Sequence, residues 1–315
     1  MIIGIDISKL SFDAAWLMDQ KESHQVFQYT DEGIEALLQH TPETTHYVME
    51  ATGVYHTRLA LKLHEAGRKV SVVNPLVVKR FAQMRLSRVK SDKADAQMIR
   101  DYAEQHRPAV WTPSSQEIVE LKQAHSWLDD LIREQTRLSN RKEALTHQAC
   151  PSEFVLSQMT KQARLLKEQV RACEAHLEAA VKKSFPELYR RLQTIPAIGS
   201  KTAIELITIT EGFSLFASDK ALSAYIGVSP TTYRSGTSVQ GRGRISKMGQ
   251  GRARQLLYLC SWTAKRCNNA CQTLHARLSE AGKPPKVINI AIAHKLLRQA
   301  FAVATTGQDY SEEYV

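Results

Sequence analysis

Four acidic residues carry side chains suited to phosphodiester chemistry. Asp6 closes the apolar run Ile2-Ile3-Gly4-Ile5, and Glu50 closes His46-Tyr47-Val48-Met49. Asp92 and Asp95 stand three apart in the run from Lys90 to Ala96, a spacing that puts them on one helix face. Carboxylate oxygens are hard ligands suited to Mg2+ or Mn2+. Two such ions ~4 Å apart can activate an attacking oxygen and stabilise a leaving one. Seven cations (Lys79, Arg80, Arg85, Arg88, Lys90, Lys93 and Arg100) surround the second pair, the charge a nucleic-acid backbone requires. A lone acidic pair at a helix start ordinarily serves the helix dipole. The combination gives these four their weight.

A second candidate lies far along the chain. Ile226–Arg254 carries Arg234, Arg242, Arg244, Lys247, Arg252 and Arg254 among glycines, with Ser235, Ser238 and Ser246 and no acid. From Lys220 to Ser279 there is no Asp or Glu, while Lys and Arg number ten, as large as the formal net charge of +10 for the whole chain. Such a block needs an anion against it, and nucleic-acid phosphate fits. A serine hydroxyl is a weak nucleophile at its free pKa. No His–Asp partner stands in this stretch, so activation would fall to a metal, with arginines stabilising phosphorane charge. Ser235 has Gly236 beside it, which lets backbone approach phosphate closely. For Ser238 and Ser246 the default is a basic loop whose hydroxyls merely bond phosphate, and the spacing alone leaves all three open.

The elements that must position these residues follow from periodicity. Residues 1–110 alternate strand and helix: strands at Ile2–Ile5, Ser11–Leu17, Gln25–Tyr29, His46–Met49 and Arg68–Val73, with Asp31 capping a helix to Gln39. This predicts an α/β sheet with Asp6 and Glu50 at carboxyl ends of strands, where function collects. The order Asp, Glu, Asp, Asp looks like a RuvC-type, RNase H-like nuclease core. Residues 111–185 follow a linker bracketed by Pro108 and Pro113. They carry two apolar stripes, Leu121 to Leu145 and Val155 to Ala180, interrupted by Gln135, Gln162 and Gln169. These predict two long helices in a hairpin or an intermolecular coiled coil, serving oligomerisation. Residues 186–315 read as mostly helical. Leu192–Ala203 resembles a helix-hairpin-helix whose glycine turn and Lys201 offer a phosphate backbone N–H groups and charge. Leu256, Leu259 and Trp262 mark an apolar face on a helix from Gln255 to Cys271, and the last helix runs Lys286–Ala304.

Composition bounds the rest. With 315 residues and 43% hydrophobic content the chain folds as two or three units with real cores. No run of ~18 apolar residues suggests a membrane span and no signal layout opens the chain, so a cytoplasmic protein is expected. Five cysteines without a CxxC pair read as reduced residues; the Cys267/Cys271 spacing could suit a metal, but small half-buried thiols are commoner.

The motifs run in the order of one family. GIDISK at 4–9, MEATGVYH at 49–56, VVNP at 72–75, KSDKADAQMIRDYA at 90–103, IPAIGSKTA at 195–203 and YRSG with GRGRISKMG between 233 and 249 resemble the DEDD transposases of the IS-one-ten insertion-sequence family. Ser91 stands where Thr is usual, and Ala197 where Gly is usual. The resemblance implies a RuvC-like domain in which Asp6, Glu50, Asp92 and Asp95 bind Mg2+, and a C-terminal transposase domain in which Ser235 is the nucleophile, linked covalently to DNA. It also implies a structured noncoding guide RNA pairing with donor and target DNA, and homodimers assembling to tetramers in a bacterial or archaeal cell. Lys90, Lys93, Lys201, Arg234, Arg242, Arg244, Lys247, Arg252 and Arg254 would hold nucleic acid. Three other readings compete: a RuvC-like structure-selective nuclease without serine chemistry, an actin-like ATPase for which a second phosphate loop and an adenosine motif are missing, and a non-catalytic binding protein.

Overall fold

The computed structural model describes the whole chain except residues 20, 88–90, 232–233, 236–238, 241–243, 246–247 and 313–315, and describes only the backbone at 231, 234, 235, 239, 240 and 244. The chain divides into two compact units, Met1–Ser114 and Ser115–Val315.

The first unit is built on a five-stranded mixed sheet. Strands β1 (Ile2–Ile7), β2 (Ser11–Met18) and β3 (Lys21–Gln28) form an antiparallel meander. The β1–β2 turn is closed by Ser8, whose hydroxyl donates to the Ser11 carbonyl at 2.8 Å. Helix α1 (Asp31–His40) starts at Thr30, which accepts from the Gly33 N–H. Asp31, expected as the cap, is instead the first helical residue and bonds Arg58 at 2.9 Å. Strand β4 (His46–Glu50) lies parallel to β1, and after α2 (Tyr55–Glu65) strand β5 (Lys69–Val73) lies parallel to β4. Two further helices follow: α3 (Pro75–Met84), capped by Asn74 with proline in its first turn, and α4 (Asp92–His106), capped by Ser91. The sheet order is β3-β2-β1-β4-β5. This is the α/β unit the alternating pattern predicts.

Alternation in β1 sends Ile3, Ile5 and Ile7 into a cluster with Phe12, Phe27, Leu37 and Leu59. The opposite face takes Val48, Val73, Ile99 and Ala103, with α4 packed along β1. Gly4 makes that packing possible. A Cβ at this position would stand 2.2 Å from the Ala96 carbonyl oxygen and 2.3 Å from the Arg100 nitrogen. The segment read as a linker is tied to the sheet: the Trp111 N–H donates to the Val70 carbonyl at 2.7 Å, and its indole joins the first core cluster.

The second unit begins with the helical hairpin α5 (Gln116–Thr146) and α6 (Glu153–Ser184), which pack on each other within the chain. Leu131, Leu138 and Leu166 form the far part of the seam, flanked by Met159, Ala163 and Val170. Gln162 and Gln169, expected on that seam, are exposed, and their neighbours Ala163 and Val170 turn toward it instead, while Leu166, Cys173 and Leu177 lie where the stripe predicts. Nearer the base, Leu121, Leu128, Leu177 and Val181 enter the main core of the unit.

That core is completed by α7 (Pro186–Leu192), α8 (Ser200–Thr210), α9 (Asp219–Ile226), α10 (Gly251–Cys267), α11 (Asn269–Glu280) and α12 (Pro285–Thr306). The helix expected from Gln255 to Cys271 is broken: α10 ends at Cys267, and the Asn268 side chain accepts from the Cys271 N–H to start α11. Its apolar face is also displaced. Ala253, Leu257, Ser261 and Ala264 are buried, whereas Leu259 is 56% and Trp262 47% exposed. Helix α12 has the length and hydropathy to cross a membrane, but half of that stretch is buried, with Ile292, Leu296 and Leu297 at the centre of the core. All five cysteines are free thiols.

Candidate active site

The carboxylates of the first unit converge because of three local facts. Asp6, one residue before the end of β1, has the parity of Gly4, so it lies on the face that α4 covers. Glu50 ends the neighbouring parallel strand β4, where Thr52 donates to its Oε1 at 3.4 Å. The Ser91 cap accepts from the Ala94 N–H at 3.2 Å and begins α4 so that Asp92 and Asp95 fall in its first turn. The consequence is electrostatic. Asp6 is pushed up to about 6, first by burial and then by repulsion from Asp95, Asp92, Glu50 and Asp13. Glu50 is raised too, by burial and by Asp95, against the lowering effect of the Thr52 hydrogen bond.

Asp13 was not singled out by sequence reasoning. It is buried on β2 directly across from Asp6 in the antiparallel register, and its Oδ1 lies 2.6 Å from His24 Nε2. The signal was available in the β1–β2 pairing, which places residues 6 and 13 face to face.

The cations expected around α4 separate into two kinds. Lys79, Arg80 and Lys93 are exposed. Arg100 is buried at 3% exposure, bonding Asp101 at 2.6 Å and Glu22 at 3.4 Å, and Arg85 also bonds Asp101. Arg100 therefore holds α4 to the sheet rather than facing a substrate. Arg88 and Lys90 lie outside the described residues.

In the second unit the basic stretch is a pair of short ladders, not a plain loop. Strand β6 (Pro230–Thr231) pairs with β9 (Arg244–Ile245), and between them β7 (Arg234–Ser235) pairs with β8 (Val239–Gln240). Ser235 sits opposite Val239, at the last paired position before residues 236–238. Arg242 and Lys247, with the rival serines Ser238 and Ser246, lie outside the described residues. The base of this ribbon is clamped. Arg254 donates to the Ile226 and Met248 carbonyls, both at 2.7 Å. Gly227 and Gly249 adopt φ of +82° and +88°, and a Cβ on either would fall about 2 Å from a facing carbonyl oxygen. Arg252 lies 3.7 Å from Asp129, and Lys201 bonds Glu174 at 2.6 Å.

Known proteins bear on this arrangement in two ways. Residues 3–151 match a transposase family designated DEDD and IS110, and residues 189–276 match the transposase family IS116/IS110/IS902. The chain is 31% identical to the pilin gene-inverting proteins of Moraxella lacunata and Moraxella bovis, over 98% of its own length and 97% of theirs. It belongs to the IS110 family of transposases.

Membership makes the chain a DNA-recombining enzyme, and a more distant relative points the same way. The transposase of insertion element IS1328 from Yersinia enterocolitica is 25% identical across 81% of this chain and 82% of that one. For this transposase the carboxylate cluster suits a divalent cation in donor chemistry: hard oxygens, with Asp6 raised by burial first and then by its acidic neighbours, are relieved by positive charge. No three His, Cys, Asp or Glu side chains among the described residues already stand close enough to grip an ion. The two facts are compatible. Repulsion acts over ~5–10 Å, whereas cation ligands must close to about 2.0–2.6 Å.

The transposase also carries a helix–turn–helix at the expected place. Between α7 and α8 the chain turns through Ala197, whose φ is +82°, a conformation that favours glycine. Gly199 precedes α8 without a capping side chain and with open space around it. Nearby, at the base of the hairpin, stands His125 of α5. It is half-buried, with Nε2 2.7 Å from Oε2 of Glu205, which is itself only 4% exposed.

Proposed function

We propose that this IS110-family transposase cleaves and rejoins DNA strands through Ser235, in a composite site with a carboxylate tetrad of Asp6, Glu50, Asp92 and Asp95. One observation carries the reading: Asp6 and Glu50 stand near the carboxyl ends of the neighbouring parallel strands β1 and β4, and Asp92 and Asp95 in the first turn of α4, which packs along β1, so that burial first and then the other acids raise Asp6 to about 6. Four mutually repelling carboxylates beside exposed cations have little structural use, and a divalent cation gives them one. Mg2+, or Mn2+ in its place, would be held by these four residues and supply Lewis acidity toward the scissile phosphate.

The chain's own residues do the rest. The Ser235 hydroxyl attacks phosphorus, a P–O bond of the DNA breaks, and a Ser–O–P ester forms in its place. The serine proton leaves with the departing strand's oxygen, directly or through water. Reversal by the hydroxyl of a new strand breaks the serine ester and restores a phosphodiester, so no high-energy cofactor is consumed. Arg234, next to Ser235 on β7, and Arg244, on the β6–β9 ladder of the same ribbon, would offset phosphorane charge. Lys90, Lys93, Lys201, Arg242, Lys247, Arg252 and Arg254 complete the proposed nucleic-acid contacts, with Arg254 also holding the ribbon's base. A structured noncoding RNA pairing with donor and target DNA would supply sequence choice, leaving the protein to read backbone and shape. Dimers formed through the helical hairpin, pairing to tetramers, would bring one subunit's carboxylates to another's serine. The name of the Moraxella relatives, which invert a pilin gene, supports strand exchange over simple cutting.

The test is trapping on a labelled DNA junction with Mg2+ and RNA from the element's flanks, comparing wild type with Ser235→Ala and Asp92→Ala. A covalent protein–DNA band on a denaturing gel, absent from both variants, is the expected result. Cleavage that survives Ser235→Ala without any covalent band overturns the serine mechanism and leaves a metal-dependent nuclease.

A further inference from the structure

Helices α11 and α12 enclose an open groove of about 480 Å³ that the proposed serine–carboxylate site does not use. Arg277 and Thr273 line it from α11, and His294, Lys295 and Arg298 from α12. No Asp or Glu lines it. Among the described residues only Arg298 of these reaches an acid, donating from Nε to Asp219 at 2.6 Å. Arg277 and Lys295 have no carboxylate partner among the described residues. His294 is committed to the Ser223 hydroxyl at 2.9 Å.

Two cations without a carboxylate partner among the described residues, Arg277 and Lys295, share the groove with a third, Arg298, whose charge Asp219 meets from one side. Burial first, and then the charge of Arg298, hold the Lys295 ammonium below the ordinary lysine range. The arrangement is uneconomical for a protein alone and well suited to a bound anion. Phe, Tyr and Trp are absent from the lining, so the groove has nothing on which to stack a base. Arg277 is also the last cation of the acid-free stretch from Lys220 to Ser279, which makes the groove an extension of the most basic part of the chain.

We propose that the α11–α12 groove is a separate DNA-backbone contact, in which Arg277, Lys295 and Arg298 hold phosphates of bound duplex. Its role is sequence-independent positioning, since phosphate contacts fix register without reading bases. The proposal rests on the family's action on DNA and is independent of the Ser235 chemistry.

The test uses the full chain and a fluorescein-labelled 40-base-pair duplex, with the dissociation constant measured between 50 and 200 mM KCl. Each phosphate contact contributes about 0.9 to the slope of log affinity against log salt. The doubly substituted Arg277→Gln/Lys295→Gln protein should lose about 1.8 from that slope and bind roughly tenfold more weakly at low salt. Lys295→Arg, which keeps the charge, should retain the wild-type slope, and a thermal melt checks that each variant is folded. An unchanged slope in the folded double variant overturns the proposal, whereas a wild type that binds no duplex at all fails the reading beneath it. Two further outcomes also overturn it. One is a change confined to a single-stranded RNA probe. The other is stabilisation of wild type alone by 10 mM inorganic phosphate with no change in the duplex slope, which marks a small-anion site.

Discussion

Asp6 bears the electrostatic cost of the carboxylate cluster, and the cost has a sign that can be measured. Its folded pKa, about 6, lies above the ordinary aspartate value of 3.8. Below both values the carboxyl is protonated in either state and costs nothing. As pH rises between them the unfolded chain releases its proton first, so stability is lost, and above pH 6 the whole penalty is present. Asp6→Asn should therefore stabilise the metal-free protein at pH 8 by about 1 kcal/mol, after discounting for the solvent that reaches the site. The gain should vanish near pH 4, as followed by urea titration at each pH. The same substitution should abolish metal-dependent strand cleavage, so stability and activity move in opposite directions. Ala197 holds a different kind of strain. It sits at φ +82°, in the left-handed region that favours glycine, and Ala197→Gly should raise stability by about 1 kcal/mol, seen as a higher Tm.

At the scale of elements, two contacts decide where chemistry-bearing groups stand. The first is α4 on β1 through Gly4. Gly4→Ala forces a methyl group into the backbone of α4 and should cost about 3 kcal/mol or more. Because α4 carries Asp92 and Asp95, Mg2+ stabilisation in a thermal melt should fall even where the protein still folds. The second is the base of the hairpin, where α5 meets α8 through His125 and Glu205. Burial pulls His125 down, but the Glu205 hydrogen bond and charge, with Asp129, raise it above the ordinary histidine value. A raised histidine contributes stability that is full below its unfolded pKa and is lost as pH rises through the folded value. Glu205→Gln should cost about 1–2 kcal/mol at pH 5.5 and much less at pH 9, flattening the stability profile across that range.

Considered whole, the chain has two units with separate cores. Ile3, Phe12, Tyr47 and Leu59 anchor one, while Leu192, Leu206, Leu257 and Leu296 anchor the other. Each has the apolar cluster needed to fold independently. Fragments 1–114 and 115–315 should each unfold in a single cooperative transition by calorimetry. The second fragment should keep salt-dependent duplex binding and show no metal-dependent cleavage; aggregation of both fragments would count against independent folding.

Much of this was legible in the sequence, because it rests on local signals. Apolar runs ending in acids marked β1 and β4, since a buried strand must be apolar and its end need not be. The acids Asp92 and Asp95, three apart, marked the start of α4, since that spacing sets both on one helix face. The acid-free run through the basic stretch is a property of composition alone, and the ordered motifs carried the family. Contacts distant along the chain were decided by tertiary structure. Asp13 gained importance only from its register opposite Asp6, and Gly4 only from the helix that crosses it ninety residues later. Trp262 and Leu259 looked apolar-faced by helical period, yet α12 packs on the other side of α10 and leaves them in solvent. Gln162 and Gln169 stood on a plausible seam, but the partner helix meets Ala163 and Val170 in their stead. The groove between α11 and α12 has no linear signature at all, because its cations are ordinary surface residues until two helices bring them together. Periodicity names a helix's candidate faces; the neighbour that packs against it, and excludes water there, chooses among them.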